Sequence, residues 1–102
     1  MSELRAWIDK LNALFPCEIR DLLVAEGVTG THDDAHCPIA VLLRRKGAAR
    51  CPSVVPRDTI DYGNDLSRAI AVSHGPSIHR FVLDFDLGVY PELEVRRNEE
   101  GR

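Results

Sequence analysis

Residues 76–90 read PSIHRFVLDFDLGVY, and their spacing decides the fold. Ile78, Phe81, Val82, Phe85 and Val89 recur at helical intervals and form one apolar face. Two of the three phenylalanines lie on that face, so the predicted helix is the centre of the core. Gly75-Pro76 suits a helix start, because proline at the first helical position lacks only an N–H that would go unpaired anyway. Gly88 and Pro91 mark its end. Leu83, Leu87 and Tyr90 fall on the other side of the wheel. A helix with apolar residues on two sides is either sandwiched within its own domain or offers one side to a partner. Leu83, Leu87 and Tyr90 are therefore the candidate interface, for a protein partner or a homo-oligomer.

Upstream of this helix the texture is β. Ser53–Val55 is a short apolar run, Pro56-Arg57-Asp58 reads as a turn, and Thr59–Tyr62 alternates with Ile60 and Tyr62 on one side. Gly63-Asn64-Asp65 is a second turn, and Arg68–Ser73 alternates again. A small antiparallel meander of two or three strands is expected, with the long C-terminal helix packed on it. The N-terminal part is helical. Ser2 and Glu3 suit a helix start, and Leu4, Trp7, Ile8, Leu11, Leu14 and Phe15 make one stripe opposite Arg5, Asp9 and Asn12. Pro16 separates it from a short second helix through Ile19, Leu22 and Leu23, closed by Gly27. A third helix follows Cys37-Pro38 and stops at Gly47, with Ile39, Leu42 and Leu43 on one face. The fold class is α+β, with a single domain over 1–95 and a polar tail over 96–102.

The chain has 102 residues, 28% of them charged, with a formal net charge of −3. That balance argues against a dedicated nucleic-acid binder. No apolar run reaches the roughly 20 residues of a membrane span. Neither is there a charged segment followed by an apolar one at the N-terminus, so a secretory signal is not expected. Three cysteines, an odd number at irregular spacing, fit free thiols in a reducing compartment, and a cytoplasmic location is the expectation.

One segment concentrates reactive groups: His32-Asp33-Asp34-Ala35-His36-Cys37, just ahead of the third helix. His32, His36 and Cys37, with Cys51, could supply four N/S ligands to zinc, the one cofactor the chain hints at. Cys37 at a helix N-terminus could instead be a thiol nucleophile with histidine as base. The third reading is structural: Cys37 a small buried hydrophobe, and Asp33 or Asp34 the helix cap. Arg44, Arg45, Lys46 and Arg50 form a basic segment, either a complement to the helix dipole or a contact for an anion or nucleic acid. His74 and His79 read as surface residues. Asp84 and Asp86 lie about 200° apart on the wheel and form no acid/base pair. No P-loop, dinucleotide fingerprint, nucleophile elbow or HExxH occurs. No catalytic constellation assembles, and a non-enzymatic interaction or regulatory module is the expected function.

At CPIAVLLRR (37–45) and FVLDFDLGVYPEL (81–93) the chain resembles small actinobacterial and actinophage proteins. Those pair a Cys-Pro-aliphatic-Ala…Leu-Arg helix with a Phe-Val…Phe-Asp-x-Gly-x-Tyr-Pro-x-Leu ending. The matching residues here are Cys37, Pro38, Ile39, Ala40, Leu43 and Arg44, then Phe81, Val82, Phe85, Asp86, Gly88, Tyr90, Pro91 and Leu93. The resemblance implies source and single-domain architecture, and no activity.

Overall fold

The computed structural model describes residues 3–62 and 69–94. Among these residues four α-helices and three strands alternate in blocks: α1 (Glu3–Asn12), α2 (Pro16–Ala25), α3 (Pro38–Arg45), β1 (Pro52–Val54), β2 (Asp58–Asp61), β3 (Ile70–Ser73) and α4 (Pro76–Asp86), then a 3-10 turn, Pro91–Leu93. The strands form an antiparallel sheet in the order β1-β2-β3, so the fold is α+β. Ser2, the turn at Gly63-Asn64-Asp65, Arg68 and the polar tail lie outside the described residues.

Local chemistry explains where most helices begin and end. Proline occupies the first turn of α2, α3 and α4. The same three helices close on a glycine with positive φ: Gly27 at +70°, Gly47 at +72° and Gly88 at +83°. Each forms a Schellman cap, in which the glycine N–H and the next N–H reach back to the last turn. The outer bonds are Val28 N to Leu23 O, Ala48 N to Leu43 O, and Val89 N to Asp84 O, at 3.0, 2.9 and 3.0 Å. In α2 and α3 the residue after glycine is buried, as is the leucine it reaches back to. In α4 the corresponding pair is Val89 and Asp84. Paired with a polar residue there, Val89 stays exposed instead of joining the core face.

The core gathers one face from each helix. Leu4, Ile8 and Leu11 come from α1, Ile19 and Leu23 from α2, Ile39, Leu42 and Leu43 from α3, and Ile78, Phe81, Val82 and Phe85 from α4. The sheet contributes the row Val54–Thr59–Val72, aligned by the registers Val54↔Thr59 and Thr59↔Val72. Thr59, not Ile60, is the β2 residue that turns inward, and it is wholly buried.

Three expectations change. The final helix stops at Asp86 rather than running on to Val89, because Gly88 reverses the chain. It also packs chiefly against α2 and α1; the sheet leans on α3 through β1 and on α1 through β3. Phe15 leaves the α1 stripe altogether. Helix α1 ends at Asn12, so Phe15 becomes the exposed cap residue of α2, its N–H bonded to Glu18 Oε1 at 2.8 Å. Asn12 has a second role: its Oδ1 accepts the N–H of Gly75 at 2.8 Å and so ties the end of α1 to the start of α4.

Two glycines separate conformational strain from close approach. A Cβ on Gly27 would meet nothing within 4 Å, whereas one on Gly30 would strike the backbone of His36, Cys37 and Pro38. Gly27→Ala should therefore cost about 1 kcal/mol, the penalty of a left-handed alanine. Gly30→Ala should cost more, about 2–4 kcal/mol, since backbone must move. Urea unfolding of the two variants compares them directly; equal losses would contradict this packing.

Candidate functional site

The reactive segment folds as a tight loop held at three points. Gly30 forms a parallel bridge with Glu94, its N–H reaching Leu93 O at 2.8 Å. Thr31 N donates to His36 O at 2.8 Å, and Thr31 Oγ1 accepts from Asp33 N at 3.2 Å. Asp34 O accepts from Val54 N at 2.9 Å, which fastens the loop to β1. A shallow cleft lies beneath it, walled by His32, Asp34, Cys37, Val54, Phe85 and Asp86. Its enclosed room is about 10 Å³, that of roughly one water.

His32 is the most engaged residue of the loop. Its ring stacks on Phe85, with centroids 4.6 Å apart and planes at 22°. Nδ1 lies 3.5 Å from Asp86 Oδ1, and Nε2 lies 3.2 Å from Glu94 Oε1. Phe85 faces Phe81 at 6.5 Å, and Phe81 stacks on Tyr90 at 5.1 Å. Four rings thus run in a row from His32 to Tyr90, with α4 in the middle. Tyr90 belongs to this row and is buried, so it parts company with Leu83 and Leu87, which are 40% and 80% exposed.

The proposed zinc ligands are dispersed. His32 is flanked by carboxylates, His36 bonds Asp33 at 2.6 Å, Cys51 is exposed at the start of the hairpin and Cys37 is buried. Among the described residues no three His, Cys, Asp or Glu side chains are placed to share a metal ion. Cys37 itself, rather than Asp33 or Asp34, caps α3, its Sγ accepting from Ala40 N at 3.5 Å. Burial pushes its thiol up to about 11, aided by the charges of Asp86 and Asp34 and opposed by the hydrogen bonds from Ala40 and Ile39. Desolvation therefore outweighs the helix N-terminus, and the sulfur is a protonated thiol at neutral pH rather than a nucleophile.

Three of the four basic candidates hold the fold together. Arg44 Nη1 donates to Ala35 O at 2.6 Å, Arg45 Nη1 to Glu26 O at 3.1 Å, and Lys46 Nζ pairs with Glu26 Oε1 at 2.9 Å. They stitch the end of α3 to the end of α2 and to the loop before α3; Arg50 is exposed on the connection to β1. Asp84 pairs with Arg80 at 3.0 Å while Asp86 faces His32, which keeps the two acids of α4 apart.

His74 is a site the sequence reading placed on the surface. It is half-buried at the end of β3. Its Nδ1 lies 3.2 Å from Pro56 O and its Nε2 lies 2.6 Å from Thr59 Oγ1. A carbonyl can only accept, so Nδ1 carries the proton and Nε2 accepts from the threonine hydroxyl. The geometry is that of a nucleophile, base and orienting acceptor. Thr59, however, is 0% exposed, so no substrate reaches its hydroxyl and the pair serves to lock the sheet corner. Burial lowers the His74 pKa and His79 adds to this, against the Pro56 hydrogen bond and the charge of Asp58.

Two measurements follow from these groups. In the folded protein a thiol reagent at neutral pH should label Cys17 and Cys51, and Cys37 only after unfolding; rapid labelling of all three would contradict its burial. His74 binds its proton less readily folded than unfolded. Its contribution to stability is therefore full above the unfolded imidazole value, about 6.5, and is lost as pH falls through that value toward the lower folded one. Stability measured from about pH 7.5 to about pH 5 should drop, and His74→Asn, which keeps a donor for Pro56 O, should flatten that slope.

Comparison with protein-family models, with curated proteins and with solved structures found no match, so the functional reading rests on the residues themselves.

Proposed function

We propose that this chain is a small intracellular interaction or regulatory module without catalytic activity, and that it contacts its protein partner through the C-terminal end of α4. The observation that carries this reading is the exposure of Leu83 and Leu87, four residues apart on the side of α4 opposite the core, followed by Val89 at 52%. Six large apolar side chains are exposed among the described residues, and three of them fall within 83–89. Scattered singly such residues are unremarkable, but gathered at one helix end they fit an apolar anchor site. The helix itself is held rigidly by Phe81 and Phe85, so the two leucines are presented in fixed positions, and little ordering is lost on binding.

The remaining chemistry supports the same reading. The cleft under His32 has room for about one water, the Cys37 thiol is protonated, and the Thr59 hydroxyl is sealed in the core. The exposed thiols of Cys17 and Cys51 fit a reducing compartment. No helix among the described residues is long and apolar enough to cross a membrane.

The test compares the chain carrying a photo-crosslinking residue at position 87 with the double variant Leu83→Glu/Leu87→Glu. The fold should lose less than about 1 kcal/mol, because both side chains face water. Crosslinks to protein should form from position 87 in cells and should not form from a control position at Lys10 on α1; the double variant, with the crosslinker moved to Val89, should form none. A large loss of stability with unaltered crosslinking would place the leucines in the core and end this reading.

A further inference from the structure

The two edges of the sheet are finished differently. His74 N donates to Arg57 O at 2.7 Å, which makes 57 and 74 a bonded pair. Bonded pairs alternate along antiparallel strands, so 59/72 and 61/70 are also bonded. Ala71 and Ser73 therefore direct their peptide groups away from β2. On β1 the bonds Val55 N to Asp58 O and Tyr62 N to Cys51 O fix the opposite set, leaving Pro52 and Val54 to face outward. That edge is closed: Pro52 has no N–H, and Val54 N is taken by Asp34 O. The β3 edge carries Ala71 and Ser73, both exposed, with no proline, no charge and an unbroken register. Among the described residues nothing bonds their outward N–H and C=O groups.

We infer that β3 is the strand by which two copies of this chain pair, antiparallel, into one continuous sheet. A neutral edge that no described residue covers is a template for a further strand, and β3 is its own complement. A two-fold axis through Val72 sets Ala71 against the partner's Ser73 and Ser73 against the partner's Ala71, which satisfies the outward groups in four backbone bonds. On the outer face the side chains brought together are alanine and serine, so no like charges meet there although each chain carries −3. The same register sets the half-exposed Ile70 opposite the partner's His74 and removes apolar surface from water. A contact of four residues per strand lies at the small end of protein interfaces, so the pairing is weak. It uses residues separate from those of the α4 surface, and the two proposals stand or fall apart.

Sedimentation of the full chain from about 1 µM to about 1 mM should show mass rising from one chain to two. Ala71→Pro removes only an outward N–H, a place where edge strands accept proline, and should leave a folded monomer at every concentration. Ser73→Lys, which sets charge into the new sheet without touching the backbone, should weaken pairing at least tenfold and covers the case in which Ala71→Pro fails to fold. The Ala71 and Ser73 amides should exchange with deuterium at least tenfold more slowly at high concentration. Leu83→Glu/Leu87→Glu should leave the dimer intact. A wild-type chain that stays monomeric throughout, or a dimer that survives Ser73→Lys and is lost with the leucine variant, would overturn the inference.

Discussion

The row of rings Tyr90–Phe81–Phe85–His32 is the constraint on which the rest of the molecule depends. Phe81 and Phe85 are four residues apart on α4 and buried, so they supply both apolar area and a fixed stacking surface. Tyr90 closes one end and brings the chain back from the Gly88 turn. His32 closes the other and draws in the loop that carries Gly30 and Thr31. The Phe81–Phe85 and Phe81–Tyr90 pairs each add about 0.5–1.5 kcal/mol beyond area burial. More important is what the row joins: a loop between α2 and α3 and the segment after α4, far apart in sequence, meet in the Gly30–Glu94 bridge beside it.

Polar groups in this fold are resolved by pairing rather than by exposure. The carbonyl and carboxylate of Glu26, the cap residue of α2, receive Arg45 and Lys46, so charges that look like a binding segment neutralise the ends of two neighbouring helices. Such pairs are half-exposed and each contributes little, but together they join the C-terminal ends of α2 and α3. Arg20 acts similarly, bridging Asp21 at 2.5 Å and Glu92 at 2.8 Å and so holding the 3-10 turn to α2. The buried hydroxyl of Thr59 finds His74, and the buried thiol of Cys37 finds the first turn of α3. In both cases a group with latent reactivity is consumed by structure, because the interior penalises an unpartnered polar atom more than the surface rewards a free one.

Much of the secondary structure was legible because its signals are local. A proline at the first helical position and a glycine just past the end constrain φ and the backbone donors of their own residues, whatever surrounds them. Pro16 with Gly27, Pro38 with Gly47 and Pro76 with Gly88 therefore bounded three helices before any packing was known. Turn chemistry and alternation likewise located the hairpin Pro52–Asp61 and the third strand. Local signals say less about which face turns inward. Thr59 is chosen over Ile60 because it sits in register with Val54 and Val72, a pairing written in three separate segments.

By itself, then, the sequence determined an α+β order, the limits of α2 and α3, the start of α4, and the identity of the α4 face built on Phe81 and Phe85. Only the tertiary structure decided that Tyr90 turns back onto Phe81 while Leu83 and Leu87 remain in water. It also decided that α4 lies against α1 and α2 rather than on the sheet, that His32 stacks while His74 locks the sheet corner, and that Cys37 is a cap with a raised pKa. The division has one physical reason. Backbone preferences and periodicity are properties of a residue and its near neighbours, whereas burial, desolvation and charge pairing depend on what the folded chain brings beside it from elsewhere.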